Sequence, residues 1–155
     1  MRRIVRILRE PECDANVPLP RLSTPGSAGA DVFANLPPEC RSGGLFVEPM
    51  GRVLVPTGFR VEIPPGYELQ IRTRSGIALK HGVTVLNSPG TIDSDYRGRI
   101  GVLLANFGDK PYSIRHGDRV AQLVFARVLP VSFAAVDALD ATVRGDGGFG
   151  STGAN

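Results

Sequence analysis

Residues 53–72 read VLVPTGFRVEIPPGYELQIR, and their rhythm decides what kind of fold the chain can adopt. Phe59, Val61 and Ile63 alternate with Arg60 and Glu62, and Tyr67, Leu69 and Ile71 alternate with Glu68, Gln70 and Arg72. Successive side chains of a strand point to opposite faces, so a period of two gives each run one apolar and one polar face. Val53-Leu54-Val55 precedes these runs, and Pro64-Pro65-Gly66 separates them. Pro cannot donate to a ladder and Gly tolerates tight turns, so the stretch predicts consecutive antiparallel strands.

On the C-terminal side, Ser75 to Gly82 is the one stretch that reads as a short helix, with Ser75 as its cap and Gly82 as its stop. Next comes Gly82 to Ile100, GVTVLNSPGTIDSDYRGRI, which predicts a β-hairpin. Val83, Val85 and Leu86 lead into the turn Asn87-Ser88-Pro89-Gly90, and Thr91, Ile92 and Asp93 lead out. On a strand Asp93 and Asp95 would share a face, with Tyr96 on the other beside Ile92 and Ser94. Ile100 to Phe107 and Val120 to Val128 are apolar on both faces, which predicts strands covered on both sides. With so little helix to supply the cover, a second sheet and a partner subunit must do so.

On the N-terminal side, Ile4, Val5, Ile7 and Leu8 predict a strand within Met1 to Leu8, at a sheet edge or against a neighbouring subunit. Arg9 to Pro25 reads as loop, Asp31-Val32-Phe33-Ala34 as a short strand, and residues 35–51 as a meander around Leu45-Phe46-Val47. The fold class is all-β and antiparallel. Its 155 residues suit one domain with a real core.

Formal net charge is +3 and the pI about 9.2, yet the basic residues are scattered, which argues against a nucleic-acid surface and suits a small polyanion. All but Lys80 and Lys110 of the 18 basic residues are Arg, a bias that suits phosphate recognition but that a GC-rich genome explains better. No apolar run approaches the roughly 20 residues of a membrane span. Cys13 and Cys40 without a secretory leader predict a reduced, cytoplasmic protein, and with His81 and His116 they are too dispersed for a structural zinc site.

Several polar groups have two readings. Asn87 offers a donor and an acceptor to a flat ligand edge, and a neighbouring carboxylate can act on water; the same residues also make an ordinary polar hairpin. Ser75 beside Arg74 either caps the helix or faces an anion at the helix amides. Gln122, polar within an apolar strand, needs a buried partner or a ligand. From Arg144 the tail RGDGGFGSTGAN carries five glycines. It is either disordered or wraps a polyphosphate with its amides, and it lacks the lysine of a P-loop.

Five stretches, taken in order, resemble the five motifs of the trimeric dUTPases: Ala28-Gly29-Ala30-Asp31; Arg74-Ser75-Gly76 with Ile77-Ala78; the hairpin itself; Gly117-Asp118-Arg119-Val120-Ala121-Gln122-Leu123; and Arg144 to Gly153. The resemblance runs from about Ser27 to Gly153. It implies a jelly-roll-like β-barrel or sandwich over residues 1–143, and a flexible arm, 144–155, closing an active site of a homotrimer. The implied reaction is Mg²⁺-dependent hydrolysis of dUTP to dUMP and pyrophosphate, which keeps uracil out of DNA and supplies dUMP for thymidylate synthesis. Asp93 would be the general base. Asn87, Thr91, Ile92, Tyr96, Gly101 and Phe149 would hold base and sugar, and Arg74, Ser75, Gly76, Gln122, Arg144, Ser151 and Thr152 the phosphates. The metal would ride on phosphates and water, with Asp31 supporting it from behind.

The sequence departs from the family pattern at Thr73, where proline commonly precedes Arg-Ser-Gly, and at Arg99, where glutamate commonly follows Tyr-Arg-Gly. Thr73 frees Arg72 from a steric restriction and is expected to be benign. The rival readings are a dCTP deaminase, which would need a catalytic glutamate, and a catalytically silent nucleotide-binding trimer.

Overall fold

The computed structural model describes residues 3–148. Twelve strands and one helix follow in order: β1 Arg6–Arg9, β2 Arg21–Leu22, β3 Gly29–Phe33, β4 Leu45–Val47, β5 Arg52–Pro56, β6 Phe59–Glu62, β7 Tyr67–Arg72, α1 Ser75–His81, β8 Val83–Val85, β9 Gly90–Ile92, β10 Gly101–Asn106, β11 Tyr112–Ile114 and β12 Arg119–Arg127. The period-two reading of 53–72 holds through β6 and from Leu69 to Arg72 in β7, while Tyr67 and Glu68 are both half-buried. Val55, Phe59, Val61, Ile63, Leu69 and Ile71 are buried, whereas Leu54, Glu62 and Arg72 are exposed.

The pairing differs from the expected run of neighbours. β5, β6 and β7 are consecutive, yet none pairs with the next: β5 pairs with β10, β6 with β1, and β7 with both β12 and β9. Four antiparallel sheets result, ordered β1-β6, β5-β10-β8, β4-β11 and β2-β3-β12-β7-β9. Each strand crosses to another sheet because its single apolar face must meet an opposing apolar face, and a hairpin partner in the same plane does not supply one. The two-sided apolar runs obey the same logic. They become β10 and β12, the interior strands of the three- and five-stranded sheets.

The predicted hairpin is corrected in the same way. β8 lies against β10 and β9 against β7, so residues 86–89 carry the chain from one sheet to another rather than closing a ladder. β9 also ends at Ile92, and Asp93 to Tyr96 make a turn in which the Tyr96 N–H donates to the Asp93 carbonyl at 3.2 Å. Asp93 and Asp95 therefore do not share a strand face.

Gly82 stops α1 as expected, with left-handed φ of 65° and its N–H on Ala78. Ser75 is not the cap: Arg74 occupies that position, and no side chain caps the helix. Asn106, fully buried, donates Nδ2 to the Val47 and Lys110 carbonyls, both at 2.8 Å, and accepts the Gly108 N–H at 2.8 Å. It satisfies three backbone groups that the bend after β10 would otherwise strand. After Arg127 the described chain has no further helix or strand, and Leu129, Val131, Phe133, Val136, Leu139 and Val143 stand exposed.

Candidate active site

The crossing between β8 and β9 and the turn after it wall a cavity of about 180 Å³ lined by Ile71, Asn87, Gly90, Thr91, Ile92, Asp93, Tyr96, Arg99, Ile100 and Gly101. Six expected residues, Asn87, Thr91, Ile92, Asp93, Tyr96 and Gly101, thus meet in one place. Ile92 and Ile100 are buried and form a rigid apolar floor, while Asn87, Asp93 and Tyr96 are exposed at the rim. Among the described residues neither the Asn87 amide nor the Asp93 carboxylate has a side-chain hydrogen bond to protein. Polar groups converging on a concave surface without protein partners are what a ligand uses. Asp95 lies elsewhere, lining a separate groove with Arg6, Glu62, Ser94 and Arg97.

Tyr96 is held from two sides. Its hydroxyl donates to the Arg99 carbonyl at 3.1 Å, and its ring covers Gly98 so closely that a Cβ there would lie 2.2 Å from the hydroxyl oxygen. The requirement for glycine at 98 is steric, and it is a signal the sequence held two residues past Tyr96.

The second group of expected residues gathers where β3, β7 and β12 run side by side. Arg74 Nε donates to Asp31 Oδ1 at 3.1 Å and its Nη1 to the Arg119 carbonyl at 3.2 Å. Arg119 Nη1 donates to Asp31 Oδ2 at 3.4 Å, and the Ser23 hydroxyl to the same oxygen at 3.4 Å. Asp31 is thus an orienting partner that fixes two guanidiniums, and among the described residues Arg74 Nη2 has no protein partner. Gln122 takes the buried-partner reading at one end: its Nε2 donates to the Thr73 carbonyl at 3.0 Å. A Cβ on Gly29 would lie 2.1 Å from Gln122 Oε1, so the glycine that opens β3 leaves room for this side chain.

Ser75 and Gly76 sit exposed on the first turn of α1, beside Arg74. Thr73 does more than release Arg72: its hydroxyl accepts the Val85 N–H at 2.9 Å and bonds the Thr84 hydroxyl at 2.7 Å, tying the end of β7 to β8. Arg144 turns onto its own segment, Nε to the Gly147 carbonyl at 2.8 Å. Phe149, Ser151 and Thr152 lie outside the described residues. Among the described residues no hydrogen bond or ion pair joins the Arg74 group to the cavity that holds Asp93.

Sequence reasoning did not single out Glu10, named Arg119 only as part of the fourth motif, and marked Arg99 only as a departure from the family pattern. Glu10 follows β1 with a side chain only 10% exposed; its carboxylate accepts from Arg60 Nε and forms an ion pair with Arg99, Nε to Oε2 at 3.0 Å. The Arg60 guanidinium, with Arg99 beside it, holds the Glu10 carboxyl below the usual carboxylate range. No local pattern marks this pair, because the partners come from opposite ends of the core.

A family model for dUTPase matches residues 15–153. The chain belongs to the dUTPase family. It is 58% identical over 150 residues to a deoxyuridine 5'-triphosphate nucleotidohydrolase from Dinoroseobacter shibae, covering 97% of each. It is 55% identical over 140 residues to one from Methylocella silvestris, covering 90% of this chain and 86% of the other. Among solved structures, the dUTPase of Staphylococcus bacteriophage 80alpha with dUpNHpp matches at TM-score 0.77 and 24% identity, over 97% of this chain and 98% of that one. A phage phi11 dUTPase mutant, described for its coordination of a structural Mg(II) ion, matches at TM-score 0.70 and 21% identity, over 89% and 99%. The crossed antiparallel sheets found here are the jelly-roll-like fold of this family, and the five dUTPase motifs lie within the matched span.

Proposed function

We propose that the cavity between β8, β9 and the turn at 93–99 is where this dUTPase-family chain hydrolyses dUTP to dUMP and pyrophosphate. The observation that carries the assignment is the meeting of Asn87, Thr91, Ile92, Asp93, Tyr96 and Gly101 around one cavity, with Asn87 and Asp93 unengaged. Asp93 takes a proton from water as the water oxygen bonds the α-phosphorus. The bond from that phosphorus to the bridging oxygen breaks, and pyrophosphate leaves. A positioned base of this kind contributes about 10²–10⁴ in rate. The reaction removes dUTP from the pool that DNA synthesis draws on and yields dUMP for thymidylate synthesis.

Asn87 and the backbone of the crossing read uracil. Cytosine reverses one donor–acceptor pair and leaves polar groups unpaired, at about 1–3 kcal/mol each. Tyr96, braced on Gly98, packs under deoxyribose and excludes a 2′-hydroxyl. Arg74, Ser75, Gly76 and Gln122 take the phosphates, and the arm 144–155 brings Arg144, Phe149, Ser151 and Thr152 over them.

Asp31 is already engaged by Arg74, Arg119 and Ser23, and among the described residues no cluster of three or more His, Cys, Asp or Glu can cage a cation. These residues suit a Mg²⁺ carried by phosphate oxygens and water, with Asp31 reaching it through water, since this ion keeps its waters and favours phosphates. When bound it offsets phosphate charge. A homotrimer is supported by an open apolar groove of about 830 Å³, whose walls include Ile7, Leu69, Leu123 and Phe125, and by the exposed apolar residues of 128–143. In it, Asp93 and the Arg74 group of one site come from different subunits and the arm from a third. Among the described residues no helix is long and apolar enough to cross a membrane. The free thiols of Cys13 and Cys40 suit the reducing cytoplasm.

The test is a panel of dUTP, UTP, dTTP and dCTP with Mg²⁺, reading pyrophosphate and ammonia. Pyrophosphate from dUTP far above the others supports the reading; equal turnover of all four refutes a specificity site at this cavity, and ammonia from dCTP would mark a deaminase.

A further inference from the structure

The turn that carries Tyr96 is weakly held by its own backbone. Its first hydrogen bond is Tyr96 N–H to the Asp93 carbonyl, and the next fixed point is Ile100, whose N–H donates to the Phe59 carbonyl at 3.0 Å and whose carbonyl accepts the Thr57 hydroxyl at 2.6 Å. Between them Asp95, Tyr96, Arg97 and Arg99 are exposed. Arg97 Nη1 staples the turn from within, donating to the Ser94 carbonyl at 2.7 Å and the Tyr96 carbonyl at 2.9 Å, and the tie to the rest of the fold comes from Glu10, the residue after β1. The two oxygens of Glu10 each hold one guanidinium, Arg60 on Oε1 and Arg99 on Oε2. Arg60 extends its Nη1 towards the Arg97 carbonyl at 3.5 Å, and the Arg99 carbonyl accepts the Tyr96 hydroxyl. Glu10 itself is fixed, because its N–H donates to the Gly58 carbonyl at 2.9 Å and its side chain is nearly buried.

We infer that Glu10 is a positioning residue for sugar selection, acting through Arg99 and Arg60 on the turn that holds the Tyr96 ring. The inference rests on the reading of Tyr96 as the wall against a 2′-hydroxyl. Such a wall excludes a single oxygen only if held to within about 0.5 Å. Two guanidiniums without the carboxylate between them repel, so loss of Glu10 releases both contacts with the turn at once. Asp93 opens the turn through its carbonyl, and its carboxylate is not among the groups that Glu10, Arg60 and Arg99 contact.

The experiment measures kcat and KM for dUTP and UTP on the full chain, on Glu10→Gln, on Arg99→Met and on the double variant. Each single variant is expected to lower the dUTP-over-UTP ratio of kcat/KM about five- to ten-fold, mostly through KM, with kcat for dUTP within about two-fold of the parent. The double variant is expected to lose no more than the worse single one, since one linkage is broken either way. Arg99 is exposed, so Arg99→Met tests the tether even where Glu10→Gln unfolds. A parent that prefers dUTP, with single variants whose ratio stays within two-fold, overturns the inference, whatever happens to stability. A parent with no preference for dUTP over UTP overturns the reading of Tyr96 beneath it, and the inference with it.

Discussion

The two groups of site residues are built on opposite principles. Around Arg74 the charges are matched: Asp31 serves Arg74, Arg119 and Ser23, and Gln122 and Thr73 lock the strand ends beneath. Around Asp93, the Asn87 and Asp93 side chains stand over an apolar floor with no partner among the described residues, while Tyr96 is braced on the Arg99 carbonyl and Arg99 is paired with Glu10. A matched cluster is rigid before ligand arrives, and preorganised charge suits polyphosphate, whose position must be set before bond cleavage. An unmatched carboxylate on an ordered wall remains available for a water and a base. The difference is that one group is fixed by its own protein partners, whereas Asn87 and Asp93 in the other leave their polar atoms free for a ligand.

The contrast breaks first at Asp93. Asp93→Asn is expected to keep nucleotide binding while lowering kcat by about 10² or more, because it removes the base and leaves the positioning groups. Calorimetric titration with dUTP beside pyrophosphate release checks this, and a variant within a few-fold of the parent would take Asp93 out of the chemistry. Arg74→Ala should lower kcat/KM about 30-fold and also cost about 1–3 kcal/mol of stability, as Asp31 loses a charge-assisted partner. Urea unfolding alongside kinetics separates the two losses. A purely structural cluster would show only the second.

Mixing the two variants sharpens the comparison. If the groups of one site come from different chains, co-assembled Asp93→Asn and Arg74→Ala subunits should recover activity at roughly a quarter of the sites, given random closed threefold assembly. Mixed trimers as inactive as their parents would place both groups on one chain.

The smallest effect concerns matched carboxylates. Glu10 is held below the usual range chiefly by Arg60, and Asp14 chiefly by the Asn16 amide, then His116. A folded value depressed below the unfolded one stabilises the fold above about pH 4 and is lost as pH falls through the folded value. The urea midpoint should therefore drop below about pH 4, and Glu10→Gln or Asp14→Asn should flatten that drop.

Much of the site was legible because its residues are local in sequence. Asn87 to Gly101 is a single stretch, and a short chain segment that must both cross between sheets and turn keeps its side chains close together whatever the rest does. The helix stop at Gly82 was equally local. Ser75 failed as a cap because capping depends on the φ and ψ of one residue, and Arg74 took the extended conformation that the position needs. Glu10, Arg99 and Arg119 were not legible, since their roles exist only through partners far away in the chain.

The sequence by itself determined the period-two faces of β6 and β7, that β10 and β12 would be apolar on both faces, and where the stretches resembling the dUTPase motifs fall. Side-chain alternation and apolar content are properties of consecutive residues, and they survive any arrangement of the strands. Tertiary structure alone decided the partners: that β5, β6 and β7 part company, that the arms of the apparent hairpin enter different sheets, and that Glu10 reaches the turn of Tyr96. Those choices follow from matching apolar faces across the core and from satisfying buried charge, and both are sums over the whole chain rather than properties of any segment.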